Sequence, residues 1–165
     1  MLEDFRWPEP EDEADERLFS NVRQYGCHIM HILEEETAPE FSFSIGLYLN
    51  YTHPEIVTFG LRHQITQRTI NNIASMIREG QEFGDGQTSE EIFEGIEVVF
   101  LGVERKYYAA YLGYANWFYQ HLAAPFPALQ LVWPDRAGRF PWEREFDRAL
   151  AARQPLLSDS YASAS

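Results

Sequence analysis

The 165-residue chain contains one cysteine, Cys27, and one lysine, Lys106. A lone thiol excludes an internal disulfide and a cysteine-rich zinc site, so the fold has to be held by burial alone. Thirteen basic residues against 26 acids leave a formal charge of −13. Nucleic-acid binding rests on neutralising phosphates with Lys and Arg, so this balance argues against DNA or RNA as a partner. No apolar run reaches the roughly 18 residues of a membrane span. The start, Met-Leu-Glu-Asp-Phe-Arg, lacks the basic-then-apolar order of a signal peptide, so a cytoplasmic location without membrane contact is expected. Phosphate-binding glycine loops are missing as well, since Gly84-Asp85-Gly86 has neither the length nor the lysine of a P-loop.

What the chain does have is grease: 45% hydrophobic residues, among them twelve Phe, nine Tyr and four Trp. The stretch from Phe41 to Leu61 organises it. Phe41, Phe43, Ile45 and Leu47 alternate with Ser42, Ser44 and Gly46, the period of a strand with one apolar and one small face. After a polar turn through Asn50, Thr52, His53 and Pro54, the run Ile56–Leu61 reads as a strand covered on both sides. Further strands are expected over 27–33, 96–103 and 128–133. Helical spacing appears over 11–25, over 66–79 with Ile70, Ile73, Ala74 and Ile77 in one stripe, and over 106–122. A final helix is expected from Pro141 to Leu150, and Thr88 with Glu91 has the spacing of a capping box for a short helix closed by Gly95. The order predicts a single α+β domain over 11–157, with a mostly antiparallel sheet of about five strands. Residues 1–10 read as an acidic flexible arm and 158–165 as a disordered tail.

Three segments resemble a bacterial family, the domain of unknown function numbered 4262. They are Ser44-Ile45-Gly46-Leu47, then His53-Pro54-Glu55-Ile56 running to Phe59-Gly60-Leu61, then Leu129-Gln130-Leu131-Val132-Trp133-Pro134-Asp135 with Gly138 and Phe140-Pro141-Trp142. The resemblance spans about residues 20–150 and implies no activity. A fainter topological likeness, a strand ending in Gly-Leu, a turn with proline, a strand and a helix, is similar to the opening of flavin-binding split barrels. Ser42, Ser44, Thr58, Arg62 and Arg68 are the donors that a flavin phosphate would need there.

Among candidate sites, the loop carrying Trp133, Asp135, Arg136, Phe140 and Trp142 stands out, because a loop leaving a buried strand is a usual place for binding groups. Asp135 either braces the turn through backbone amides or orients a ligand in an aromatic pocket. Tyr107, Tyr111, Tyr114 and Trp117 form an aromatic face wide enough to meet a protein partner or a second copy of the chain. Cys27, His28 and His31 do not make a metal site, since Cys27 and His31 lie roughly 13 Å apart along a strand at 3.3 Å per residue and His28 points the other way. His53 and Glu55 fall at one end of a central strand and Arg62 and His63 at the other, which reads as turn and helix-entry chemistry. No cofactor is expected. The acidity points to a small protein-binding module, an inhibitor or immunity-type protein for a more basic partner. A flavin-dependent redox enzyme of split-barrel type is the alternative.

Overall fold

A computed structural model describes residues 1–162. Helix α1 (Glu13–Tyr25) starts where the Asp12 carboxylate accepts the Asp15 amide at 2.9 Å and ends at Gly26 in a left-handed conformation. Strands β1 (His28–Ile32) and β2 (Phe41–Ile45) pair antiparallel, with His31 opposite Ser42. A five-residue helix α2 (Leu47–Tyr51) fills the turn before β3 (Glu55–Phe59). Helix α3 (His63–Arg78) begins three residues earlier than its stripe suggests. Thr66, where the helical spacing starts and whose residue type suits a cap, lies inside it and turns its hydroxyl back to the Leu61 carbonyl.

The expected short helix over 88–95 is instead a strand, β4 (Thr88–Phe93), which turns at Gly95 into β5 (Ile96–Gly102). Antiparallel pairing of Thr88 with Val99 and Phe93 with Ile96 overrides the local capping signal, because hairpin pairing and burial of Ile92 offer more than one exposed helical turn. With β6 (Ala128–Val132) the sheet has six strands in the order β1-β2-β3-β6-β5-β4. All neighbours are antiparallel except β3 and β6. The mixed sheet is open: β1 and β4 form its two edges, so it is not closed into a barrel, and the likeness to split barrels ends there.

One face presents Phe41, Phe43, Val57 and Phe59 to α1 and to the aromatic segment after β5. That segment is not one helix. A 3-10 turn (Arg105–Tyr107), α4 (Tyr108–Tyr111) and α5 (Gly113–Phe118) follow each other, bent at Leu112 so that Tyr108, Leu112, Ala115, Phe118 and Tyr119 all reach the core. The other face, with Ile56, Phe100, Leu129 and Leu131, is covered by Ile73, Ala74 and Ile77 of α3. The small residues Ser42 and Ser44 thus leave room rather than expose a polar surface; both are buried.

The expected helix over 141–150 is a series of turns ending in a 3-10 helix (Arg148–Arg153). Two buried glutamines fasten the chain beyond it. Gln130 donates to the Pro155 carbonyl and accepts from the Leu157 amide, and Gln154 exchanges two bonds with the Trp133 backbone. Residues 1–10, expected as a flexible arm, lie against the core: the Leu2 amide donates to Leu49, and Phe5 and Trp7 pack edge-on to Tyr119 and Phe118. In the expected tail, Ser158 is buried and α6 (Asp159–Ala162) forms a helical turn, while 163–165 lie outside the described residues.

Candidate functional site

Glu55 is the most constrained charged group in the chain. It occupies the first position of β3 and is 1% exposed, yet it has no cationic partner among the salt bridges of the described residues. Its neutralisation comes from hydrogen bonds. Oε1 accepts from Ser44 Oγ at 2.7 Å and the Leu47 amide at 3.1 Å. Oε2 accepts from the Gly46 amide at 2.9 Å, the Tyr48 amide at 3.2 Å and the Tyr119 hydroxyl. The three amides open α2, so Glu55 caps that helix from a distant strand. Gly46 permits the approach: at φ +118°, an added Cβ would sit 2.9 Å from the Gly26 carbonyl oxygen. Burial pushes the Glu55 carboxyl above its ordinary range, and the donated bonds offset that only in part. Burial and the neighbouring carboxylate drive the Tyr119 hydroxyl well above its usual value. The sequence signal for this hub is an acid at the head of an otherwise apolar strand run, Glu55-Ile56-Val57.

The Trp133–Trp142 block is also bound inward. Asp135 Oδ1 accepts the amides of Ala137 and Arg139, both at 2.9 Å, and Oδ2 accepts that of Asp147 at 3.0 Å. Those bonds hold its carboxyl below the usual range. Of the two readings of Asp135, the geometry is that of a brace. Trp133 Nε1 donates to the Phe59 carbonyl at 2.7 Å, tying β6 to β3. Phe140 stacks on Trp142 with planes 6° apart, and Arg136 is exposed.

The aromatic face is likewise engaged with its own chain. Tyr111 meets Phe41 and Phe59 edge-on, and Trp117 stacks on Phe19. Tyr107 donates to Asp159 at 2.5 Å, and Tyr114 donates to Asp15. All four remain half-buried. The hydroxyls considered for a flavin phosphate do not form a cradle. Ser42 bonds His31, Ser44 bonds Glu55 and Thr58 donates to the Leu131 carbonyl, all within the sheet, while Arg62 and Arg68 are exposed.

Ser42, His31 and Glu40 mimic a hydrolytic triad. Ser42 Oγ is 2.5 Å from His31 Nδ1, and His31 Nε2 is 3.5 Å from Glu40. A nucleophile has to reach a substrate, and Ser42 is 1% exposed. The second imidazole, His63, packs edge-on against His31 with centroids 3.9 Å apart. No group of three or more His, Cys, Asp or Glu among the described residues could hold a metal ion.

His53 is likewise structural. Its Nε2 accepts the Phe83 amide at 2.9 Å and Nδ1–H donates to the Pro54 carbonyl, so the neutral ring uses both nitrogens. Burial depresses its basicity below the ordinary 6.5. Below that value the unfolded chain takes up a proton that the folded chain resists, so stability is full above about 6.5 and is lost as pH falls toward the depressed folded value. Denaturant midpoints at pH 7.5 and 5.5 should therefore differ more for the wild type than for His53→Gln. Taking the difference cancels Glu55, whose upward displacement acts with the opposite sign. Equal differences in the two proteins would show that His53 is not the titrating group.

Beside this lattice of structural polar groups lies a cleft of about 490 Å³ between α1, the start of β1 and α3. Cys27 and His28 lie in its wall. Burial pushes the Cys27 thiol up to about 12, which makes it a poor nucleophile. His28 Nδ1 accepts from the Asn21 amide at 2.9 Å. Burial and the charge of Arg17 hold its ring below the ordinary basicity. Sequence spacing separated Cys27 from His28 across the strand; the cleft at the strand's start brings both to its wall.

The family described as a domain of unknown function, DUF4262, matches residues 21–147. No curated protein and no solved structure matches the chain.

Proposed function

Because the chain belongs to the DUF4262 family, whose description names no activity, its role must be read from its own surface, and we propose that it is an acidic protein-binding module engaging a basic partner along the β4–β5 edge of its sheet. One observation carries this reading. From Glu79 to Glu104 the chain has eight acids and no Lys, Arg or His. That segment forms an edge of the sheet, with Glu90, Glu91, Glu94 and Glu97 all exposed. Ile96, 47% exposed, gives the edge an apolar contact amid the carboxylates. Charge and the register shift between Ser89 and Phe93 guard such an edge against pairing with its own kind. The same charge steers a cationic protein toward it. A module of this type acts by covering a basic surface, as an inhibitor or immunity-type protein does.

Replacing Glu90, Glu91, Glu94 and Glu97 together by Lys tests the reading. Immobilised wild-type protein should retain basic proteins from a lysate at low salt and release them as salt screens the edge; the reversed protein should retain none of them. Equal capture by both proteins, or retention insensitive to salt, would overturn the assignment. Stoichiometric flavin-like absorbance between about 300 and 500 nm in the purified protein would favour the redox alternative.

A further inference from the structure

We propose that the cleft between α1, β1 and α3 binds a small organic anion, with the Arg78 guanidinium meeting its carboxylate or phosphate and the amides of Asn21, Gln67 and Asn71 meeting its polar body. The site is independent of the acidic edge. In a chain where acids outnumber bases two to one, no Asp or Glu lines this cleft. Its α3 wall is a polar stripe: Gln67, Asn71 and Ser75 follow each other at four residues and Arg78 three further on, so all four share one helix face.

Arg78 is held in place. Its Nε donates to the Tyr51 hydroxyl at 3.2 Å and one terminal nitrogen donates to the Tyr25 carbonyl at 2.7 Å. The other terminal nitrogen still carries two N–H donors, and a guanidinium fixed in this way loses little freedom when it meets an anion. Across the cleft, the Asn21 amide donates to His28 Nδ1, which puts the neutral ring's proton on Nε2 as a further donor. At the cleft wall Arg17 acts on His28, while Cys27 feels the buried Glu55 carboxylate more than Arg78. The cationic side of the cleft is therefore the one formed by Arg78 and by His28 with its neighbour Arg17. A volume of about 490 Å³ is within the range of small-molecule sites.

Inorganic phosphate and adenosine monophosphate, which present the anion without and with a planar polar body, are suitable probes for the full chain. The imidazole resonances of His28, followed by NMR, should shift saturably with adenosine monophosphate and more weakly, in the same direction, with phosphate. Arg78→Gln should abolish the shift. Because Arg78 also braces Tyr25 and Tyr51, the decisive variant is Asn71→Glu, which puts a carboxylate at an exposed position of the cleft wall. It should weaken binding by about tenfold or more through like-charge repulsion while leaving the melting temperature unchanged. No saturable shift with either probe up to about 10 mM, a concentration that reveals even millimolar affinity, would overturn the site. So would binding that survives Asn71→Glu. Charge reversal of the β4–β5 edge should leave the His28 shift in place, so the two proposals fail separately.

Discussion

Glu55→Ala is expected to lower the folding stability by about 3–5 kcal/mol, the scale seen when a buried polar cluster loses its central partner. Five donors converge on that carboxylate, from β2, from the start of α2 with the glycine before it, and from Tyr119 just past α5. Removing it leaves buried N–H and O–H groups without an acceptor, in a fold whose total stability is of the order of 5–15 kcal/mol. Glu55→Gln separates charge from shape. Either oxygen that becomes an NH2 group faces donors: Ser44 and Leu47 on one side, or Gly46, Tyr48 and Tyr119 on the other. Gln should therefore cost about 2–4 kcal/mol despite its matching size. Tyr119→Phe leaves the carboxylate four other donors but also takes away the hydroxyl that accepts the Leu49 amide, and should cost about 1–3 kcal/mol. The outcome that sinks this account is a nearly neutral Glu55→Gln. A protonated carboxyl already resembles an amide in its donors and acceptors, so that result would mean Glu55 folds uncharged and that burial outweighs the donor shell. Denaturant titration of the three variants at one pH decides it.

The family-like segments explain how much of this was legible. Ser44, Gly46 and Glu55 belong to one hub. Gln130, Trp133, Asp135 and Phe140 fasten the last strand to β3 and to the chain that follows it. The strand pair around Phe41–Leu61 could be read directly, because a side-chain period of two leaves a clear trace when one face is apolar and the other small. The stripe of α3 was equally plain. The β4 hairpin was obscured because Thr88 and Glu91 carry a genuine local capping pattern, and only pairing with β5 outweighs it. The aromatic segment reads as one helix because its apolar spacing continues across Leu112, where the backbone leaves helical geometry. The Trp133–Trp142 block stands out as a loop leaving a buried strand, yet the residues there serve as anchors between layers. Nothing local distinguishes a tryptophan whose N–H is spent on Phe59 from one that floors a pocket. The cleft carrying Arg78 was hidden for a different reason: its residues come from positions 21–29 and 67–78, and only the packing of α3 beside α1 and β1 brings them together.

Phe118→Ala should cost about 3–5 kcal/mol, the usual range for removing a fully buried phenylalanine, and it should also loosen the first ten residues. The ring is fully buried, with centroids 5.3 Å from Phe5, 5.3 Å from Trp7, 5.9 Å from Phe19 and 5.0 Å from Tyr119. Two of those four neighbours belong to the N-terminal arm. Trp7 keeps other supports in the variant, since it meets Phe19 edge-on and the Arg23 guanidinium lies 4.2 Å over its ring. Phe5 keeps Tyr119. The arm should therefore detach locally before the domain unfolds, and trypsin should cut after the exposed Arg6 faster in the variant at temperatures well below its midpoint. Deleting residues 1–7 provides the complementary measurement. If the acids of the arm only keep the protein soluble, the deletion leaves the midpoint where it was. If Phe5 and Trp7 cover Phe118 as the ring geometry indicates, the deletion destabilises the domain, and Phe118→Ala made in the shortened chain costs less than in the full one, because part of what that ring packs against has already gone.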